Sequence, residues 1–304
     1  MNLPNLLIVG FPKCGSTALH YYLDAHPSVF MPTQKELHYF TADKLQKLEN
    51  GPGDKEVNQF FIQREEEYRK CFAKAQNQKI IGDASPSYIN HPDRIPEIKS
   101  LLGEPKIIIL LRDPIKRAYS NYLHLVREQR EQLSFHKALL AEEDRTNKKY
   151  SDFWYYHFNS TYFNKVDAYK KAFKDVLIIT QEELNKDTKR TIFKVYDFLN
   201  IEKIEPENIK QRYNSGGVYK KNFITDTILR QSKFRSVIKK LVPITPKMKN
   251  MKEKLIAKYQ KPAPKISKEA EEYLVQQCKQ DVQKLVDSYN ININYWNKAF
   301  HETP

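Results

Sequence analysis

From Gly10 to Thr17 the chain reads Gly-Phe-Pro-Lys-Cys-Gly-Ser-Thr, after the apolar run Asn5 to Val9 and before Thr17 to Leu23, whose spacing suits a helix. A glycine-bearing turn between a strand and a helix presents backbone N–H groups and a helix N-terminus, which together bind anions. The stretch fits the phosphate-loop pattern G-x-x-x-x-G-K-[ST], except that Ser16 stands in the lysine position and Lys13 lies inside the loop. A lysine so placed can cover a terminal group and the oxygen bridging it to a nucleotide. Classical nucleoside triphosphate chemistry also needs a metal held by an acidic strand end. Only Asp83 offers itself for that.

A second set follows the run Lys106 to Leu111. Arg112 would sit at that strand's carboxyl end, where open parallel sheets bind ligands, and its planar fork can hold a phosphate through two hydrogen bonds. Ser120, about two helical turns on, can donate to the same group. A third set is Glu36 and His38. With Lys35 to Phe40 extended, both would face one side and either could take a proton from an acceptor, contributing about 10²–10⁴-fold. The spacing does not choose between them. Cys14, at a helix N-terminus, is expected to have a lowered thiol pKa and to react with alkylating agents.

The elements that must position these groups alternate. Short strands are expected over Asn5 to Val9, Leu37 to Phe40, Lys79 to Gly82, Lys106 to Leu111 and Val176 to Thr180. The Ile/Leu run of 106–111 is the kind buried on both faces of a parallel sheet. Asp113 is an N-cap and Pro114 a first helical residue, so a helix runs from there to about Glu128. Further helices are expected over about 20 residues from Glu56, over Thr188 to Leu199, and over Lys268 to Asp287, whose apolar Tyr273, Leu274, Cys278, Val282 and Leu285 would pack on the domain. The fold class is α/β: a central, mainly parallel sheet with a P-loop-like core flanked by helices. Beyond Asn200 no strand signal is left.

Composition narrows the function. The chain has 304 residues, 40% hydrophobic and 12% aromatic, enough for one large globular domain and too apolar for disorder. Three cysteines at no metal-ligand spacing fit a reducing compartment, and no structural metal is expected. The start lacks signal-peptide regions and no run reaches a membrane-span length, so a cytoplasmic protein without a transmembrane segment is expected. The net charge is +14, and the stretch Arg230 to Lys265, with 12 basic residues and one acid, carries +11 of it. The remainder is nearly balanced, which argues against specific nucleic-acid binding.

The loop Phe11-Pro-Lys-Cys-Gly-Ser-Thr-Ala18, the segment Lys35-Glu-Leu-His-Tyr-Phe40 and the stretch Ile107 to Ser120 together resemble the sulfotransferases that use 3′-phosphoadenosine 5′-phosphosulfate (PAPS). The pattern is similar to the bacterial and carbohydrate branch and continues in order through Tyr162, Val176 to Thr180 with Glu182-Glu183-Leu184, Asn214-Ser-Gly-Gly217 with Lys220-Lys221, and the closing helix with Trp296. The resemblance implies one sulfotransferase domain: a PAPS-binding core over 1–200, a basic lid over 200–270 and a C-terminal helix over 268–300. It implies that Lys13, Cys14, Gly15, Ser16 and Thr17 bind the 5′-phosphosulfate. Arg112 and Ser120 would bind the 3′-phosphate, with Tyr162, Lys220 and Lys221 also on the nucleotide. Glu36 would be the base, oriented or assisted by His38, and Lys13 would stabilise the leaving group without a metal. The acceptor would be a carbohydrate or small molecule offering a hydroxyl or amine. Ala84 departs from the family, since heparan-type enzymes place a lysine there, and the Lys-Thr-His of the cytosolic phenol and steroid enzymes is missing. Two alternatives have distinct signatures. An ATP- or GTP-dependent phosphotransferase would need Mg²⁺ and ignore a 3′-phosphate. A nucleic-acid or anionic-surface module using Arg230 to Lys265 would lose affinity steeply with salt and survive loss of Lys13.

Overall fold

The computed structural model describes residues 2–211 and 263–301, with the backbone of 218–219 and 260–261. The strands are β1 (Leu6–Ile8), β2 (Val29–Phe30), β3 (Ile80–Asp83), β4 (Lys106–Leu111) and β5 (Val176–Thr180); four fall on expected segments, and β2 is one that the sequence did not signal. All pair in parallel, in the order β2-β3-β1-β4-β5. Ile8 lies beside Ile108 and Leu111 beside Thr180. Ile107 to Leu111 are fully buried, as a strand covered by helices on both faces requires.

The helices are α1 (Ser16–Asp24), α2 (Ala42–Leu45), α3 (Asp54–Asn58), α4 (Glu65–Cys71), α5 (Ile95–Leu102), α6 (Pro114–Arg127), α7 (Phe135–Leu140), α8 (Glu142–Asn147), α9 (Phe163–Ala172), α10 (Gln181–Lys186), α11 (Thr188–Leu199) and α12 (Lys268–Tyr289). Asp113 caps α6 as its sequence position implies, its Oδ1 accepting from Ile115 N at 2.9 Å and Lys116 N at 3.1 Å. Thr180 and Glu183 form a reciprocal capping box on α10.

From the central β1 the chain builds β2 and β3 on one side, then crosses to β4 and β5 on the other. Where strand order reverses, the loops leaving neighbouring strands part and leave a crevice at their carboxyl ends. The loop after β1 and the turn after β4 both open there. Gly10 permits the approach: a Cβ at that position would stand 2.5 Å from Leu110 N of β4.

The C-terminal helix closes on this end of the sheet. Leu274, Cys278, Val282 and Leu285 of α12 are fully buried in the core. Asp281 accepts from Tyr162 N and Phe163 N at 2.6 and 3.0 Å, fixing the start of α9. Beyond the helix, Asn297 N donates to Asp113 Oδ2 at 2.7 Å and Trp296 Nε1 to Glu182 Oε2 at 3.2 Å.

Three expectations are corrected. Leu37 to Phe40 is not a strand: Glu36 (φ 61°) and His38 (φ 55°) are left-handed, and Tyr39–Thr41 is a 3₁₀ turn. The backbone there is taken up by the segment after β3, Glu36 N donating to Ala84 O and His38 N to Ser85 Oγ. The long helix from Glu56 is instead α3 and α4, parted where Ile62 N donates to Leu37 O and the Phe61 ring packs 4.4 Å from that of His38. Beyond Asn200, Val218–Tyr219 pairs antiparallel with Gln260–Lys261, strands too short to leave a sequence signal. Most of the expected basic lid, including Lys220 and Lys221, lies outside the described residues.

Candidate active site

The anion loop is shaped by two left-handed residues, Lys13 (φ 70°) and Gly15 (φ 99°), with Cys14 N donating back to Phe11 O. Gly15 has no side chain to cap α1, and the first helical bond is Leu19 N to Gly15 O. The N–H groups at the start of α1 therefore face a ligand rather than a cap. Ser16 is buried at this terminus, and Thr17 is half-buried beside it. Cys14 contradicts its expected reactivity. Its thiol is fully buried, donates weakly to Pro12 O, and is pushed up to about 12 by burial. The whole residue lies beneath the loop surface, its N–H already bonded to Phe11 O.

Arg112 closes the other side. Its Nη1 donates to Lys13 O at 3.1 Å, tying the β4 turn to the loop. It forms no salt bridge among the described residues, and its buried Nε has no hydrogen-bond partner there. A buried, uncompensated guanidinium N–H calls for an anion. Ser120 is half-buried on α6, the helix that Arg112 precedes. Tyr162 is fully buried, packs its ring tilted against that of Phe11 at 4.5 Å and donates its hydroxyl to Arg112 O at 2.8 Å. It holds the arginine's backbone, a supporting place that its sequence position alone did not reveal.

Sequence reasoning passed over Arg117. Fully buried, it donates to Pro12 O (3.5 Å), Asn121 Oδ1 (3.0 Å), Tyr156 O (2.7 Å) and Ser160 Oγ (2.8 Å). It underpins the anion loop from below. Its position on the inward face of α6 is set by the fold and left no spacing signal.

Glu36 and His38 do meet, although the extended backbone that was to align them is absent: His38 Nε2 stands 3.9 Å from Glu36 Oε2. His38 Nδ1 pairs with Ser87 Oγ at 2.6 Å, and Ser87 with Thr41 Oγ1 at 2.7 Å. Burial lowers His38 to about 4, more than its carboxylate neighbours raise it, so it is neutral at pH 7. For Glu36, desolvation pulls upward, but the Lys35 ammonium beside it, with Lys13 across the loop, outweighs that and holds the carboxyl at about 2. The Glu36 side chain is 46% exposed and that of His38 11%, so the carboxylate is the more accessible of the two. Lys13 is lowered to about 8, by burial and then by Arg127, with Glu36 opposing. Lys35, passed over in the sequence, donates to Ser16 Oγ at 3.3 Å and pairs with Glu36 Oε1.

Asp83 is not poised as a metal ligand. Its oxygens accept from Ser85 Oγ (2.7 Å), Tyr88 Oη (2.8 Å) and Tyr68 Oη (3.0 Å) in the core. The acidic strand end that a phosphotransferase requires is thereby engaged elsewhere.

Residues 4–206 match the family model described as the sulfotransferase family. The chain belongs to that family. The sulfotransferase is 37% identical over 120 residues to the membrane-associated sulfotransferase kil1 of Dictyostelium discoideum, covering 40% of this chain and 22% of that protein. It is 27% identical over 246 residues to carbohydrate sulfotransferase 15 of Mus musculus, covering 66% of this chain and 44% of that one. It thus spans less than half the length of these curated relatives. A crystal structure of a sulfotransferase from Alicyclobacillus acidocaldarius is similar over 99% of this chain and all of that one, at 25% identity and a TM-score of 0.75. The sheet order and the C-terminal helix thus belong to a sulfotransferase fold. Among the described residues no helix is long and apolar enough to cross a membrane.

Proposed function

We propose that this sulfotransferase moves the sulfuryl group of PAPS to a hydroxyl or amine, and that its acceptor is a carbohydrate. The observation that carries the donor assignment is Arg112: a guanidinium bonded to the anion loop through Lys13 O, with a buried Nε lacking a partner among the described residues. That orphaned donor fits the 3′-phosphate that separates PAPS from ATP, with Ser120 as second donor. The loop N–H groups of Lys13 to Thr17 and the Lys13 ammonium fit the 5′-phosphosulfate. The relative named carbohydrate sulfotransferase 15 supports the acceptor class. Three unpaired cysteines support a reducing, cytoplasmic setting.

In the reaction the acceptor's lone pair forms a bond to sulfur as the bond from sulfur to the bridging phosphate oxygen breaks. The departing electron pair stays on adenosine 3′,5′-bisphosphate. Glu36, ionised and the more exposed of the two candidate bases, receives the acceptor's proton, while neutral His38 holds its orientation through Ser87. Lys13 and the loop N–H groups offset charge growing on the bridging oxygen, without a metal ion.

Calorimetric titration tests the donor site. Adenosine 3′,5′-bisphosphate should bind in the micromolar range in the presence of a chelator, with ADP far weaker. Lys13→Ala should retain most of that affinity and lose roughly 10²-fold in kcat with PAPS. Binding of Mg-ATP in preference to the bisphosphate would overturn the reading.

A further inference from the structure

Neighbours in an extended chain point to opposite faces, yet Lys35 and Glu36 meet. The left-handed backbone of Glu36 (φ 61°) turns the two side chains together, a conformation costing a non-glycine residue about 1–3 kcal/mol unless its surroundings enforce it. They do so here. Glu36 N is bonded to Ala84 O at 3.2 Å, and Ile62 N to Leu37 O at 2.9 Å, so the strap is held on both sides.

Lys35 itself is largely enclosed, its side chain 14% exposed. Its ammonium bridges two functional groups: Ser16 Oγ, at the start of α1 in the anion loop, and the Glu36 carboxylate. Among the described residues no other lysine or arginine makes a salt bridge to Glu36. Ala84, whose carbonyl bonds the Glu36 backbone, brings a methyl group where β3 ends. His20 of α1 is buried, its Nδ1 has no partner among the described residues, and burial lowers it to about 4, so it is neutral. His38 is neutral too. Lys13 acts on Glu36 across the loop without a salt bridge to it among the described residues, and is itself weakened as a cation by burial and Arg127.

We infer that Lys35 is the positioning residue of the transfer step, pinning the Glu36 carboxylate to the anion loop through Ser16 so that it is aimed at the acceptor's proton. The base is thereby set at a fixed reach from the sulfuryl group by one side chain that touches both halves of the site. The inference rests on the sulfuryl-transfer reading with Glu36 as base.

The test uses the full chain with ¹³C-labelled glutamate, the Glu36 carboxyl resonance being assigned by its loss in Glu36→Gln. In Lys35→Met the Glu36 titration should move up by about one pH unit or more, and in Lys35→Arg it should stay low. With PAPS and a carbohydrate acceptor, Lys35→Met should lower kcat by roughly tenfold or more, with the acid limb of the pH profile moved to higher pH. Its affinity for adenosine 3′,5′-bisphosphate should change by less than about threefold, within about 0.7 kcal/mol. An unmoved Glu36 titration in Lys35→Met, or an unchanged kcat, overturns the inference. Failure of the unmodified chain to transfer sulfuryl at all overturns the transfer reading instead, and the titration then decides alone whether Lys35 governs Glu36.

Discussion

Three histidines shape how the folded chain meets acid, His20, His38 and His124, each lowered mainly by burial. His20 and His38 are each lowered to about 4, in both cases mainly by burial. An unfolded chain protonates histidine near 6.5, so between roughly pH 6.5 and 4 the unfolded state binds protons that the native state refuses. The stabilising contribution of a lowered pKa is complete above the unfolded value and is lost as pH falls. Urea midpoints should therefore decline from about pH 7.5 to about pH 5, before Glu36 and Glu128, both held at about 2, begin to add their own losses. His20→Gln should flatten that decline while leaving the unfolding free energy at neutral pH within about 1 kcal/mol of the parent. An equal slope in both proteins would show that His20 accepts its proton while folded. At this scale the neutral state of His38, set mainly by burial, leaves Glu36 as the ionised one of the two proposed bases.

At the scale of elements, the β4–α6 turn is where local and distant contacts meet. Asp113 caps α6 through its Oδ1 and receives the Asn297 N–H, 184 residues away, on its Oδ2. Asp113→Ala should therefore cost about 2 kcal/mol, the upper end of an N-cap loss, measured by chemical denaturation. Asp113→Asn, which keeps an acceptor for α6, should cost less. Equal losses would mean that the carboxylate's charge, not the cap, matters. The same turn shows what a sequence can express. Asp113-Pro114 is a local signal and gave the start of α6, and the Ile/Leu run gave β4 with its bounds, because caps and buried parallel strands are written in adjacent residues. The 35–40 strap was misread because its conformation is dictated by Ala84, Ser85 and Ile62, contacts without periodicity. Lys13, Ser16, Thr17 and Arg112 were legible as a site because a strand, a turn and a helix fix them locally. Lys35 and Arg117 were in plain view but carried no spacing signal, since their roles arise from a left-handed residue and from a helix face turned inward. Cys14 was misjudged for the same reason: a helix N-terminus argues for a reactive thiol, and burial, visible only in the fold, overrules it.

At the scale of the whole molecule, the site is bounded by the two ends of the chain. The loop that follows β1 forms its floor, and the segment after α12 returns to brace the Arg112 turn through Asn297 on Asp113 and Trp296 on Glu182. Glu182 in turn accepts from Asp113 N at 3.3 Å, so Trp296 reaches the arginine's own turn through one carboxylate. Trp296 is 4% exposed, with its ring 6.2 Å from that of Tyr162, which itself bonds Arg112 O. Two routes thus lead from the C-terminal segment to the proposed 3′-phosphate arginine, one polar and one aromatic. Trp296→Phe removes the first and keeps most of the second. It should lower stability by about 1 kcal/mol and leave bisphosphate affinity nearly intact. Trp296→Ala removes both, should cost about 3–5 kcal/mol, and should weaken bisphosphate binding more than ADP binding, because only the bisphosphate uses Arg112. Thermal melts and paired titrations of the two ligands separate the cases. Equal weakening of both ligands in Trp296→Ala would mean that the C-terminal segment supports the sheet as a whole rather than the Arg112 turn.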